Sequence, residues 1–359
     1  MRVRHQLKRA ATFGAVAMLA VGVGGCVKSG RTSDTSSSTS TSSKCPFTAD
    51  SSVTTTARIA YQNIPNGDLV VKDSKLLENC LPKAKISWSK FDSGGDVIQA
   101  FGANSVDLGL IGSSPATKGL SKPLLIPMQV IWIHDVIGTA ESLVARDKAV
   151  TDIKGLKGKK IAVPFSSTSH FSLLQALQDA GLDANKDVSL INLAPDKMPS
   201  AWQGGQIDAA WVWDPTLTEL RKTGHVVVSS EDTAKAGKPT YDLGAATSAF
   251  VNGNPKFMTM WAKAEDYAVK QIKDKPAAAA VNIAAVLGIP PADVQKQFAG
   301  YVYLDAKQQA SADYLGGKLA TDLLNTGKFL LDQGGISAVN TAAAYRAGVN
   351  AKPADSAAA

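Results

Sequence analysis

The stretches "AFGANSVDLGLIGSSP", residues 100–115, and "AWQGGQIDAAWVWDP", residues 201–215, set out one short design twice. Each starts on a helix carrying an aromatic, Phe101 or Trp202, and crosses a polar turn. Each then puts an aspartate, Asp107 or Asp208, ahead of an apolar run, and closes on a proline. A short apolar run bounded by turn residues is a buried strand, and an aspartate just before it is a turn or capping group. The alignment sets Gly112 and Ser113 over Trp213 and Asp214. Two lobes of like design follow from the repeat; chance similarity of two α/β segments is the competing reading, because only one supersecondary unit matches.

Working outward, "TARIAYQ" and "AKISWSKF" are strands and "DSGGDVIQAF" opens a helix; "DLVVKDSKLLENC", with Leu69, Val70, Leu76 and Leu77 in register, reads as one helix. In the second half "KKIAVP" is a strand, "SSTSHFSLLQALQDAG" a helix ended by Gly181, and "DVSLINL" a strand. Alternating strands and helices imply parallel sheets with crossover helices. Ligands of such sheets bind beyond the carboxyl ends of the strands. The loops "FDSGG", "GSSP", "FSSTSH" and "WVWDP" are thereby aimed at one crevice. Two segments connect the lobes, "IWIHDVIGTAESLVARD" with Thr139 and Glu141, and "GKPTYDLGAATSAFVN" with Tyr241 and Asp242. Lobe 1 is assigned to 57–140 and 247–349, and lobe 2 to 141–246. The Ala-rich helical last third packs on lobe 1, and 350–359, poor in apolar residues, is read as a disordered tail.

The start of the chain sets the compartment. Arg2, Arg4, Lys8 and Arg9 precede an apolar run from Ala10 to Val23 and then small residues, which is the pattern of a signal peptide over 1–25. Cys26 directly afterwards resembles a lipobox cysteine that would carry lipid, or else is an exposed cysteine past an ordinary cleavage site. Residues 26–56 include the Ser/Thr-rich "SGRTSDTSSSTSTSSK", which cannot bury enough surface to order itself and reads as a tether. Outside a reducing compartment Cys45 and Cys80 form one available pair and a candidate disulfide. The formal charge of +7 owes more than half to the leader, and no basic run interleaved with aromatics is present, which argues against nucleic acid as a partner. Three cysteines and four histidines without CxxC or HxxxH spacing argue against a metal site.

The segments "WSKFDSGGDVIQAF", "LGLIGSSPA", "GKKIAVPFSSTSHFSLLQAL", "AWQGGQIDAAWVWDP", "SSEDTAKAGKPTYD" and "YVYLDAKQQ" together resemble the taurine-binding proteins of ABC importers, from Arg58 to Gln333. These belong to the type 2 periplasmic binding proteins, with the aliphatic sulfonate, nitrate and thiamine-precursor binders. The resemblance implies two α/β lobes around a ligand cleft with two hinge segments. It also implies a sulfonate ligand, a permease with its ATPase as partners, a monomeric state, no cofactor and no catalysis. Binding of unsubstituted alkanesulfonates or nitrate is the alternative within the family.

Taurine is a sulfonate joined to an ammonium by two methylenes, so a receptor needs N–H and O–H donors at one end and a carboxylate or aromatic face at the other. The donors read from sequence are the helix start at 166–170, with Ser167, Thr168 and His170, and "GSSP" with Ser113 and Ser114. Asp242 and Glu141 resemble the acidic positions of taurine binders, with a hinge salt bridge as the other reading for Glu141. Asp214 agrees better with other sulfonate binders. Trp202 and Trp213 either wall the methylenes or belong to the core, whereas Trp88, Trp132 and Trp261 read as structural. A secreted serine hydrolase using Ser167 or Ser169 with His170 is the remote alternative; neither a G-x-S-x-G elbow nor an S-x-x-K start is present.

Overall fold

A computed structural model describes residues 45–359; the segment read as a signal peptide, Cys26 and the segment read as a tether, as far as residue 44, lie outside the described residues. Eleven strands form two sheets. The first contains β1 (Thr56–Tyr61), β2 (Lys85–Lys90), β3 (Leu108–Gly112) and β4 (Met128–Ile137); the second contains β5 (Glu141–Ala145), β6 (Lys160–Val163), β7 (Ser189–Asn192), β8 (Ala209–Trp213) and β9 (His225–Ser229). β10 (Tyr241–Thr247) and β11 (Tyr301–Val302) then return to the first sheet. The orders are β2-β1-β3-β10-β4-β11 and β7-β6-β8-β5-β9.

The three-strand cores β2-β1-β3 and β7-β6-β8 are parallel, in keeping with the alternation of strands and helices. Beside each core lies an antiparallel strand: β10 against β3, and β5 against β8. These two strands carry the chain from one sheet to the other, which the expectation of purely parallel sheets did not contain. β10 also moves the lobe boundary, since Tyr241–Ala246, assigned to lobe 2, pair within the first sheet.

The sequence repeat has a physical counterpart. Asp107 accepts the backbone N–H of Arg58 at 2.8 Å, and Asp208 accepts that of Lys160 at 2.8 Å. Each carboxylate thereby pins the entry of the neighbouring parallel strand, β1 or β6, to the turn before β3 or β8. Strands β3 and β8 are buried along their whole length, as apolar runs between helical layers must be.

Three segments differ from the sequence reading. "DLVVKDSKLLENC" forms two helices, Gly67–Asp73 and Leu76–Cys80, because Lys75 takes a left-handed conformation (φ 50°) and reverses the chain between them. Residues 45–56, counted within the tether, belong to the folded body: Cys45 is disulfide-bonded to Cys80, Val53 is buried, and Asp50 N–H bonds the Cys80 carbonyl. The tail assigned as disordered is a helix, Lys352–Ala358, with Pro353 and Ala354 buried. It packs against the helix Pro255–Asp274 and against β4, so a short stretch of small residues is held by neighbours rather than by its own apolar surface.

The Cys45–Cys80 bridge closes a span of 35 residues and clips the segment ahead of β1 to the helix Leu76–Cys80. Loop-closure entropy makes such a link worth about 3–4 kcal/mol. A Cys45→Ser, Cys80→Ser double variant is expected to melt about 5 °C lower in calorimetry; an unchanged melting temperature would show that the bridge does not constrain the fold.

Candidate functional site

Between the two sheets lies a narrow cleft. From the first lobe it is lined by Gln62, Ile64, Gly94, Gly112, Pro115, Ile137, Asp242 and Tyr301; from the second by Glu141, Ser167, Thr168 and Trp213. Three helices begin here: Gly94–Gly102, Ser113–Gly119, which follows Gly112, and Thr168–Asp179, which Ser167 caps. The N–H groups of a first helical turn have no acceptor within their own helix, and the helix dipole is positive there, so these starts are built for an anion.

The lobes meet closely around these starts. A Cβ on Gly112 would come within 2.7 Å of Thr168 Cγ2, and one on Gly95 within 3.0 Å of the Phe165 carbonyl oxygen. Lys118 Nζ reaches across from the first lobe to donate to Ser166 Oγ at 3.1 Å. Ser166 is itself left-handed (φ 59°), an uncommon conformation for a non-glycine residue, and its N–H donates to His170 Nδ1 at 3.3 Å.

The hydroxyls near the helix start are engaged inside the protein. Ser167 Oγ donates to the Pro164 carbonyl at 2.6 Å and accepts the His170 N–H at 3.1 Å. Thr168 Oγ1 donates to Glu141 Oε2 at 2.6 Å, and Ser230 Oγ donates to Glu141 Oε1 at 2.7 Å. The sequence reading had made Ser167 and Thr168 hydroxyl donors to the ligand. Here their protons are spent on the protein, and the helix amides are the donors left facing the cleft. Glu141 has two hydroxyl partners and no Lys or Arg, so the hinge salt bridge does not form.

Acids lie directly beside these helix starts: Asp242 is the cross-strand neighbour of Gly112, and Glu141 is bonded to Thr168. Asp242 lies opposite Asp135 across the β10–β4 pair. Asp135, Glu141 and Asp242 are all at least 95% buried, and among the described residues no ion pair includes any of them. Burial raises all three, with mutual repulsion added for the two aspartates. Asp242 is pushed up to about 8 by burial and then by the nearby Glu141 charge, partly offset by a hydrogen bond from Asp135. Asp135 stands well above the usual carboxylate range. Tyr301 also lines the cleft, and its hydroxyl is buried without a hydrogen-bond partner.

Several residues picked from the sequence lie elsewhere. Trp202 is in the second lobe's core, its Nε1 donating to Thr223 at 2.9 Å, and does not line the cleft. Ser113 Oγ accepts the Tyr241 N–H at 3.2 Å, and Ser114 is buried off the lining. Asp214 accepts both the N–H and the hydroxyl of Thr218 and faces a separate depression with Arg221. His170 is stacked on Phe165 outside the cleft lining, and no seryl hydroxyl is bonded to its ring. Trp213 does line the cleft; Trp132 and Trp261 are fully buried core. Gln62, Gly94, Asp135 and Tyr301 were not singled out in the sequence, although Gln62 and Gly94 fall at the strand-end positions where the crevice was placed.

One group has metal-ligating chemistry: Asp68, His134 and Glu265, buried inside the first lobe. His134 Nε2 faces Asp68 and its Nδ1 faces Glu265, each at 3.6 Å. Neither ring nitrogen is within hydrogen-bond distance of its acid, and one ligand atom from each of the three residues lies within 4.8 Å of the others. Burial raises both acids and lowers the imidazole.

Two like α/β lobes, two crossing strands, and a cleft lined by both helix starts and acids define a two-lobe ligand-binding protein. The chain belongs to the NMT1-like family, whose model matches residues 67–288. It is 33% identical over 267 residues to the taurine-binding periplasmic protein of Escherichia coli (strain K12), covering 71% of this chain and 80% of that one. The alkanesulfonate-binding protein SsuA from Xanthomonas axonopodis pv. citri, solved with MOPS bound, shares the fold with a TM-score of 0.66 at 23% identity, over 86% of this chain and 99% of its own. The desulfurization enzyme DSZB also shares it, with a TM-score of 0.57 at 16% identity, over 82% of this chain and 96% of its own.

Burial and the neighbouring Lys118 charge lower His170 to about 4, and its Nδ1 accepts a backbone N–H. The imidazole is therefore expected to stay neutral, protonated on Nε2, from about pH 5 to 8, as read by long-range ¹⁵N–¹H NMR. Titration near the ordinary value would show that the 165–170 loop is not held as described.

Proposed function

We propose that the protein captures taurine, or a close aminoalkanesulfonate, in the interlobe cleft and delivers it to a membrane permease driven by an ATPase. The observation that carries this reading is the pairing of opposite preferences in one cleft: three helix N-termini open on it beside Asp242, a carboxyl without a cation partner. A sulfonate stays anionic at any biological pH and suits the helix N–H groups; an ammonium neutralises Asp242. Trp213 and Ile137 supply apolar surface in the same lining for methylene groups. The similarity to a taurine-binding periplasmic protein supports the same ligand class and an exported site of action.

The reading requires no covalent step. The Ser167 hydroxyl is bonded to the Pro164 carbonyl rather than to the imidazole, and both described cysteines are joined in a disulfide, so the cleft lacks an activated nucleophile of either kind. Lipid attachment at Cys26 would hold the domain at the outer face of the membrane, with 27–44 as tether; mass spectrometry of the mature N-terminus tests that assignment.

Calorimetry with taurine, ethanesulfonate, sulfate and nitrate tests the ligand. Removing one partner of a buried charged pair costs roughly 2–5 kcal/mol, so Asp242→Ala is expected to weaken taurine by about 30-fold or more and ethanesulfonate far less. Equal affinity of the unmodified protein for taurine and ethanesulfonate would refute the amine assignment.

The pH dependence has a definite sign. Below about 8 the free Asp242 holds a proton, and an ammonium needs the carboxylate, so binding must expel that proton. Taurine affinity is expected to rise with pH up to about 8, by at most about tenfold per unit. Ethanesulfonate, which leaves Asp242 without a cation, should not share that rise.

Closure depends on the space at Gly112. Gly112→Ala places a methyl 2.7 Å from Thr168 Cγ2; affinity is expected to fall about tenfold, with a smaller ligand-induced contraction in X-ray scattering.

A further inference from the structure

We propose that Asp135 is a positioning residue for the ligand's amine: a neutral carboxylic acid that donates its proton to Asp242, so that the Asp135–Asp242 pair carries one negative charge when the ammonium binds. This rests on the sulfonate reading above and sharpens its amine end.

Asp135 sits on β4, fully buried, opposite Asp242 on β10, where the ladder shifts register between Asp242 and Leu243. Asp242 lines the cleft and Asp135 does not, so Asp135 lies behind the group that meets the ligand. Neither oxygen of Asp135 is reached by an N–H or O–H donor from elsewhere in the protein. The groups acting on the pair are Asp242 from β10, Glu141 from β5, and Tyr301 and Tyr303 from β11 and the residues after it, with Asp214 acting on the two tyrosines. No Lys, Arg or His is among them.

A carboxyl so placed can satisfy itself in one way only, by keeping a proton and giving it to the facing carboxylate. Glu141 already holds two hydroxyl donors and does not need that proton. Asp242, with no other side-chain donor among the described hydrogen bonds, does. The direction of the titration agrees: burial and then Asp242 raise Asp135, and the bond from Asp135 eases the ionisation of Asp242. The fixed donor also orients the Asp242 carboxylate, leaving its second oxygen for the ligand. A single charge suits a monocationic amine; a second ionised acid behind it would be left without a partner when that amine binds.

The test is calorimetry of Asp135→Asn and Asp135→Ala with taurine and ethanesulfonate from about pH 5.5 to 8.5. Asparagine reproduces a neutral donor of the same shape. Asp135→Asn is expected to keep taurine affinity within about threefold and the pH of its fall-off near that of the unmodified protein. Asp135→Ala removes the donor: taurine affinity at neutral pH should fall at least about tenfold, the fall-off should move to higher pH, and ethanesulfonate should stay within about threefold.

A fall-off moved to lower pH in Asp135→Asn would mean that Asp135 had been ionised, and would overturn the proposal. Asparagine as damaging as alanine, or neither substitution changing taurine binding, would overturn it too. If the alanine variant fails to fold, judged by its melting curve, the asparagine pH profile decides alone. A protein blind to taurine before any substitution overturns the sulfonate reading and this inference with it; taurine binding untouched by both substitutions overturns the inference alone.

Discussion

A carboxylate moved out of water costs several kcal/mol unless a cation or a set of donors takes the place of the solvent. Around the cleft three acids are in that position, Asp135, Glu141 and Asp242, on three strands that the two sheets bring together. Each resolves the cost differently. Glu141 draws hydroxyl donors from its own lobe, Thr168 and Ser230. Asp135 is left with its neighbour's carboxyl, and Asp242 alone opens on the cleft. The helix starts beside these acids have the complementary excess, N–H groups without acceptors in their own helix. The small separation between donors and acids is set by the strands that carry them.

That separation is a product of topology. β5 and β10 each run antiparallel beside a parallel three-strand core, and each begins at the point where the chain changes lobes. Glu141 and Asp242 lie at or next to the first residues of those strands, so both are tied to the segments about which the lobes would rotate. The helix starts stand at the carboxyl ends of parallel strands, where dipoles point into the crevice.

The doubled lobe was legible because its cause is local: Asp107 and Asp208 pin adjacent strand entries in the same way, and buried strands leave apolar runs that need no partner to be recognised. The crevice loops were legible for the same reason, and Asp242, Glu141 and Trp213 were found through them. What the sequence hid depends on where side chains point. Trp202 has the composition of a binding aromatic, but its helix turns it to Thr223. The hydroxyls of Ser167 and Thr168 have the chemistry of anion donors, but closer acceptors claim their protons. Asp135 and Tyr301 drew no notice because nothing local separates a buried acid on an apolar strand, or a lone tyrosine, from ordinary core. The Lys352–Ala358 helix was missed because its stability is lent by the surface beneath it.

The position of β10 bears on how the molecule is assembled. It lies between β3 and β4, so the middle of the first sheet is supplied by chain made roughly a hundred residues after its flanks, once the whole second lobe has been spelled out. The second lobe is one unbroken length of chain and can condense on its own contacts. The first stays divided until that length has been looped away, and loop closure grows costly only slowly with length, so a compact insert shortens the gap to be bridged. The lobe inserted into the other thus serves as the spacer that lets its host become whole.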